Sequence, residues 1–235
     1  MVMHVSADRK TIQVMSIMRD SWVPVAGHGD TKVNAALSYG GVPLVVQTVE
    51  GLINVRIDHV AIVDFQGFKY ITDALGGVSI DNPTAFNSRG SQFDAGPIQL
   101  NGDQALIFVR DRYSFSDGDY QRVRNQQLFI KSVIKMTLSA QTLTNPVKIN
   151  SLIGALVPYI AVDKGLDSAY VATLGYELRT VRLGDIKFFT MPTLGTGMVA
   201  GQSIVRVDWN ELAAIKERFR ADTLNSYEAK IQTMG

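Results

Sequence analysis

Runs with two different apolar periods alternate along this chain, and that alternation narrows its fold more than any other feature. Residues 1–6 and 11–17 are β-rich and flank the polar turn Ala7-Asp8-Arg9-Lys10, so the chain opens on a hairpin. Within 43–52, Leu44, Val45, Thr48, Val49 and Leu52 recur at helical spacing, and 57–65 then reads as a strand. Phe68, Ile71, Thr72 and Leu75 give a short amphipathic helix that stops at Gly76-Gly77. A short strand at 78–80 is followed by a polar surface loop over 81–97. Residues 105–112 run apolar to an alternating end, Val109-Arg110-Asp111-Arg112, which read as extended backbone points both arginines the same way. The clearest helix is 119–138, striped by Val123, Ile130, Ile134 and Leu138, with Asp119 in its first turn where the helix dipole favours an anion. A helix at 167–178 with Val171, Leu174 and Leu178 inward, a strand at 186–191 closed by Pro192, and a strand at 204–207 continue the rhythm. Asp208, with Glu211 three residues on, caps a last helix carrying Leu212, Ile215 and Phe219. This interleaving predicts an α/β fold, a layered α-β-α domain with a mixed central sheet, because the opening hairpin rules out a purely parallel one.

At 235 residues and 46% hydrophobic, the chain has material for one sizeable core, and no linker or repeat divides it, so 1–235 reads as a single domain. The formal charge of +1 supplies no global field for drawing in nucleic acid, so any anion site must be local. Cysteine is absent, which removes disulfides and thiolate metal sites. Apolar stretches such as 152–162 fall short of the roughly 20 residues that cross a bilayer, and Asp8, Arg9 and Lys10 interrupt the start, which does not read as a leader.

Four of the thirteen arginines, Arg110, Arg112, Arg122 and Arg124, fall within fifteen positions. A segment end carrying Arg110 and Arg112, then a polar loop, then a helix start carrying Arg122 and Gln126 on one face brings donors together. Guanidinium forks match phosphate oxygens bidentately and stay charged, so several of them converging suit a pyrophosphate. The ordinary alternative is a solvated face on which these arginines pair with Asp111, Asp117 and Asp119. Met18-Arg19-Asp20 at the end of the second strand is another candidate, with Lys32 and Asn34 in the following loop. Its ordinary reading is a local ion pair. His4, His28 and His59 lie too far apart in sequence for zinc-site spacing, His4 reads as structural, and no nucleophile elbow, Walker loop or dinucleotide fingerprint is present. Gly195-Thr196-Gly197 reads as a glycine pair in a loop.

The blocks Ser16-Ile17-Met18-Arg19-Asp20-Ser21-Trp22-Val23, Lys32-Val33-Asn34-Ala35-Ala36 with Gly40-Gly41, and Asp73-Ala74-Leu75-Gly76-Gly77-Val78 resemble the LytR-CpsA-Psr family. The most specific block is Leu100-Asn101-Gly102-Asp103-Gln104-Ala105-Leu106 leading to Arg110-Asp111-Arg112, then Gly118-Asp119-Tyr120-Gln121-Arg122 and Gln126-Gln127. Order and spacing agree, most strongly over 1–134. The resemblance implies a membrane-anchored, extracytoplasmic enzyme of Gram-positive cell-wall biogenesis on the outer face of the cytoplasmic membrane. Such an enzyme is a phosphotransferase that moves a glycopolymer such as teichoic acid from an undecaprenyl pyrophosphate carrier onto peptidoglycan. Carried over residue by residue, Arg19, Arg110, Arg112 and Arg122 take catalytic roles and Asp20, Asn34, Asp119 and Gln126 contact substrate. An apolar tunnel for the polyprenyl tail is expected near the helices 43–52 and 119–138.

Met18 stands where the family usually has Pro. The family's Mg²⁺-holding aspartates are expected upstream of Met1, so the resemblance also implies an N-terminally truncated domain with no metal ligands of its own and impaired turnover. Two other readings remain open: a polyprenyl-phosphate binding domain that does not react, and a transcriptional regulator, as the family's historical name suggests. Balanced charge and the lack of a helix-turn-helix with a basic recognition helix weigh against the second.

Overall fold

The computed structural model describes residues 1–137, 154 and 157–229, and these divide into two compact units. The first is Met1–Asp58 with Gly184–Gly235, and the second, His59–Leu183, is inserted between them in chain order.

The first unit contains two mixed sheets. β1 (Val2–Val5) and β2 (Ile12–Ser16) form the expected antiparallel hairpin, and β11 (Ile186–Thr190) pairs parallel to β2, with Ile186 opposite Ile12. In the other sheet the order is β12 (Thr193–Val199), β13 (Gln202–Val207), β3 (Ser21–Val25), β4 (Gly29–Lys32), antiparallel except where β13 runs parallel to β3. Gly195-Thr196-Gly197 is therefore part of a strand rather than a loop. Its paired backbone, with a register shift between Thr193 and Thr196, leaves little side-chain signal to read.

Helices α1 (Ala35–Ile53) and α6 (Trp209–Arg220) complete this unit. Met15, Val23, Val25, Leu52, Ile53, Phe189, Val207, Leu212 and Ile215 form its core. The helix expected at 43–52 is the second half of α1, whose backbone breaks at Gly40 and Gly41, with Gly41 at φ 62°. That left-handed φ is one a glycine reaches without steric cost, and Pro43 just beyond fits the start of a new helical run. By length and composition α1 is apolar enough to cross a membrane, yet Thr48, Val49, Leu52 and Ile53 at its C-terminal end are buried inside this unit. Asp208 caps α6 as expected, accepting from the Glu211 amide at 3.1 Å.

The second unit is built on β6 (Val78–Asn82) paired antiparallel with β9 (Gly96–Leu100), the hairpin β7 (Phe86–Ser88) and β8 (Ser91–Phe93), and the short pair β5 (Ala61–Ile62) and β10 (Ala161–Val162). Its helices are α2 (Phe65–Ala74), α3 (Gly102–Arg110), α4 (Asp119–Thr137) and α5 (Ser168–Glu177). Val78, Ile80, Phe86, Phe93, Leu100, Phe108 and Phe129 fill the core. In α5 the stripe Val171, Leu174 and Leu178 is the half-buried one, as its spacing predicts.

Three expectations are corrected here. The strand expected over 57–65 shrinks to two residues, and the loop over 81–97 contains a hairpin. The extended end expected for 105–112 is helical up to Arg110. The Asn101 side chain accepts from the Gln104 amide at 2.9 Å while the Gln104 side chain accepts from the Asn101 amide at 3.2 Å. This reciprocal cap starts a helix whose Ala105, Phe108 and Val109 face inward at helical spacing. The end of the helix expected at 119–138 lies outside the described residues.

Candidate functional site

Helix α3 delivers the first arginines because its end is fixed from two sides. The Asn125 side-chain amide of α4 donates to the Phe108 carbonyl at 3.1 Å, and the Gln126 side-chain amide donates to the Val109 carbonyl at 3.2 Å. These are carbonyls of the last turn, which the helix itself leaves without partners. Arg110 and Arg112 follow where the helix dipole favours positive charge.

Asp111 between them turns inward and is 6% exposed. It accepts from Ser88 Oγ at 2.6 Å and from the Ser114 amide at 3.2 Å. That carboxylate is spent on tying the β7–β8 hairpin to the end of α3. It is a positioning residue that the arginine pattern, read for charge, had cast only as an ion-pair partner.

Helix α4 begins at Asp119, and the Arg122 amide donates to the Gly118 carbonyl at 3.1 Å. Arg122 Nη2 lies 3.1 Å from Asp119 Oδ1, and Arg112 Nη1 lies 3.8 Å from the same oxygen. Arg122 and Asp119 are nearly buried, with side chains 10% and 14% exposed. The structure thus brings Arg112, Asp119 and Arg122 together across the loop that separates α3 from α4. Arg112 Nη2 also donates to the Tyr113 hydroxyl at 2.5 Å. Arg124 points elsewhere, pairing with Asp117 and Gln121 on the exposed side, so for Arg124 the solvated-face reading holds. Arg110 stacks with its guanidinium 4.1 Å above the Phe65 ring and lines a cleft of about 290 Å³ with Asn87, Ser88, Arg89, Asp111, Tyr113 and Ser114.

Arg19, Asp20 and Asn34 belong to the first unit. Arg19 and Asp20 make the turn between β2 and β3, above a fully buried Met18. Asp20 Oδ1 sits 3.5 Å from Arg19 Nε and 3.6 Å from Lys32 Nζ. The Asn34 amide donates to the Arg19 carbonyl at 3.2 Å as α1 begins. The helices named for an apolar tunnel likewise fall one in each unit.

The histidines occupy local contacts. His4 Nε2 is 2.8 Å from Asp222 Oδ1, His28 stacks on Tyr39 at 4.3 Å, and His59 Nδ1 is 3.2 Å from Asp163 Oδ1. The Val60 amide, then His59 and the Gly165 amide, hold the Asp163 carboxyl well below its usual range, at about 2.

Among the described residues no three carboxylate, imidazole or thiol groups converge as a metal-ligand set. Asp119 already faces two guanidiniums, surroundings that oppose a cation. Those surroundings do not fit Mg²⁺ at Asp119, and no step below passes through a metal. What the cluster offers is two guanidiniums drawn together at one carboxylate, and guanidinium forks are the groups that bind phosphate oxygens bidentately.

Comparison with known proteins gives one family model, LytR_cpsA_psr, matching residues 1–221. The chain is similar to the polyisoprenyl-teichoic acid–peptidoglycan teichoic acid transferase TagU of Halalkalibacterium halodurans, 34% identical over 178 residues, covering 75% of this chain and 58% of that protein. It is also similar to the cell wall biosynthesis protein LcpA of Corynebacterium glutamicum, 30% identical over 247 residues, covering 91% of this chain and 46% of that protein. The crystal structure of B. subtilis TagV superposes with a TM-score of 0.80 at 25% identity, covering 91% of this chain and 84% of that one. The chain therefore spans about half the length of the curated relatives it matches.

Proposed function

Since the chain belongs to the LytR-CpsA-Psr family, we propose that it transfers a glycopolymer of the teichoic acid kind from a polyprenyl pyrophosphate carrier onto peptidoglycan, at the outer face of the cytoplasmic membrane. The observation that carries this reading is the pair of guanidiniums, Arg112 and Arg122, held on one nearly buried carboxylate, Asp119. The name of the TagU relative supplies the reaction class, and that of LcpA supports a role in cell wall biosynthesis.

In this reading a peptidoglycan hydroxyl oxygen attacks the sugar-bearing phosphorus of the pyrophosphate. The bond from that phosphorus to the bridging oxygen breaks, polyprenyl monophosphate leaves, and the hydroxyl proton passes to solvent or to a phosphate oxygen. Arg110, Arg112 and Arg122 bind the pyrophosphate and offset charge that builds on the bridging and non-bridging oxygens. Asp119 orients two of these guanidiniums, and Gln126 acts mainly by fixing the end of α3 that carries Arg110. Arg19, Asp20 and Asn34 are the residues of the first unit assigned to the same substrate by family resemblance. Magnesium belongs to the proposal only as a family expectation.

The test is transfer from a lipid-linked donor to peptidoglycan, read as release of polyprenyl phosphate, with Arg112→Ala and Arg122→Ala beside the unchanged chain. Release that depends on both arginines supports the reading. Tight lipid binding with no release under any divalent-ion condition would support the non-reacting binding domain instead.

A further inference from the structure

The β7–β8 hairpin turns on two residues, Arg89 and Gly90, because Ser88 pairs with Ser91 across the ladder. Both central residues have positive φ, 48° for Arg89 and 82° for Gly90. Two-residue turns of that handedness favour Asn, Asp or Gly first, since a longer side chain pays a steric cost in the left-handed region. An arginine in that place is locally unfavourable, and such exceptions gather at functional sites.

The hairpin is not a loose arm. Phe86 and Phe93 stack at 4.8 Å, and Phe86 also packs on Phe108 of α3 at 5.5 Å and on Phe115 at 4.9 Å. The Ser88 to Asp111 hydrogen bond and the Ser114 hydroxyl donating to the Asn87 carbonyl at 2.8 Å fasten the turn to the segment bearing Arg110. Arg89 and Arg110 thereby line one cleft, and Asp111, the one carboxylate among the described residues that line it, already accepts two hydrogen bonds. Two guanidiniums lining one cleft give it positive charge, and a phosphate is the group their forks match bidentately.

We infer that Arg89 is a second phosphate-binding residue of the Arg110 cleft, held there by the hairpin to take a phosphate of the anionic, lipid-linked glycan. This rests on the reading of Arg110 as part of the pyrophosphate site. The phosphate comes either from the carrier or from a phosphodiester in the polymer, and two probes separate these sources.

Calorimetry on the full 235-residue chain with inorganic pyrophosphate and with a glycerol phosphate oligomer tests the inference, using Arg89→Asn. Asparagine suits the turn, so the variant should melt no lower than the parent. Affinity for at least one probe should fall about tenfold, the loss of one charge-assisted hydrogen bond. A fall for pyrophosphate places Arg89 on the carrier, and a fall for the oligomer alone places it on the polymer. Arg220→Asn, which removes an exposed arginine beside Glu217, controls for lost charge and should change neither affinity. The inference is overturned if Arg89→Asn binds both probes as the parent does, if Arg220→Asn weakens them equally, or if the parent binds neither. Arg122→Ala run alongside reports separately on the arginine cluster: a loss there with none in Arg89→Asn would remove Arg89 alone.

Discussion

Arg122 and Asp119 stand one helical turn apart on α4 with 3.1 Å between Nη2 and Oδ1, and Arg112 reaches the same carboxylate oxygen from the end of α3. One carboxylate so shared fixes two guanidiniums whose sequence positions differ by ten. It holds them in place before any anion arrives, which lowers the ordering cost of binding one.

Asp119→Ala should therefore destabilise the fold, because it leaves the nearly buried Arg122 without this carboxylate. Removing one partner of a nearly buried hydrogen bond between charged groups costs about 1.5–3 kcal/mol. Added pyrophosphate should return part of that loss by taking the place of the carboxylate. Thermal melts of parent and variant with and without pyrophosphate check this, and equal melting temperatures throughout would refute it.

Gly102→Ala should be poorly tolerated although glycine opens a helix here. A Cβ at this position would stand 2.5 Å from the Lys69 carbonyl oxygen and 2.8 Å from the Lys69 Cα, both backbone atoms of α2 that cannot rotate aside. Overpacking of this kind costs about 1–3 kcal/mol, and separating α3 from α2 should also disturb Arg110. Denaturant unfolding measures the loss, and Asn101→Ala, which removes only the cap, should cost about 1 kcal/mol by comparison.

Acid should loosen the β5–β10 pair selectively. The Asp163 carboxyl is lowered from 3.8 to about 2, chiefly by the Val60 amide. A depressed carboxyl contributes stability that is complete above its unfolded value and lost as pH falls through its folded one. Amide exchange at Val60 and Gly165, corrected for intrinsic rates, should thus rise between about pH 4 and pH 2. The rise should be absent in Asp163→Asn, whose protection should already be weak at neutral pH.

Much of this arrangement is legible in the chain itself. The opening hairpin, α4, α5 and the Asp208 cap follow from local period and capping residues, which need no distant partner. The β2–β11 pairing joins Ile12 to Ile186 and has no local signature, so neither the parallel register nor the division into two units can be read from periodicity. The misreading of 105–112 is more instructive. Arg110-Asp111-Arg112 alternates as a strand would, yet Asn101 and Gln104 upstream form a capping box that dictates a helix. Asp111 was equally hidden, since only its burial against Ser88 separates it from a surface acid. The Arg89-Gly90 turn escaped because arginine is not among the residues that announce such a turn.

The central claim is that Arg122, and not its neighbour Arg124, grips the pyrophosphate. Calorimetric titration with a polyprenyl pyrophosphate tests it most directly, since the two arginines differ by two positions while facing Asp119 and Asp117 respectively. Arg122→Ala should lose about 1.5 to 3 kcal/mol of binding free energy, the worth of hydrogen bonds to a charged group. Arg122→Lys should recover only part of this, because an ammonium lacks the bidentate fork. Arg124→Ala should bind as the parent does. Equal affinity in the Arg122→Ala and Arg124→Ala variants would contradict the account.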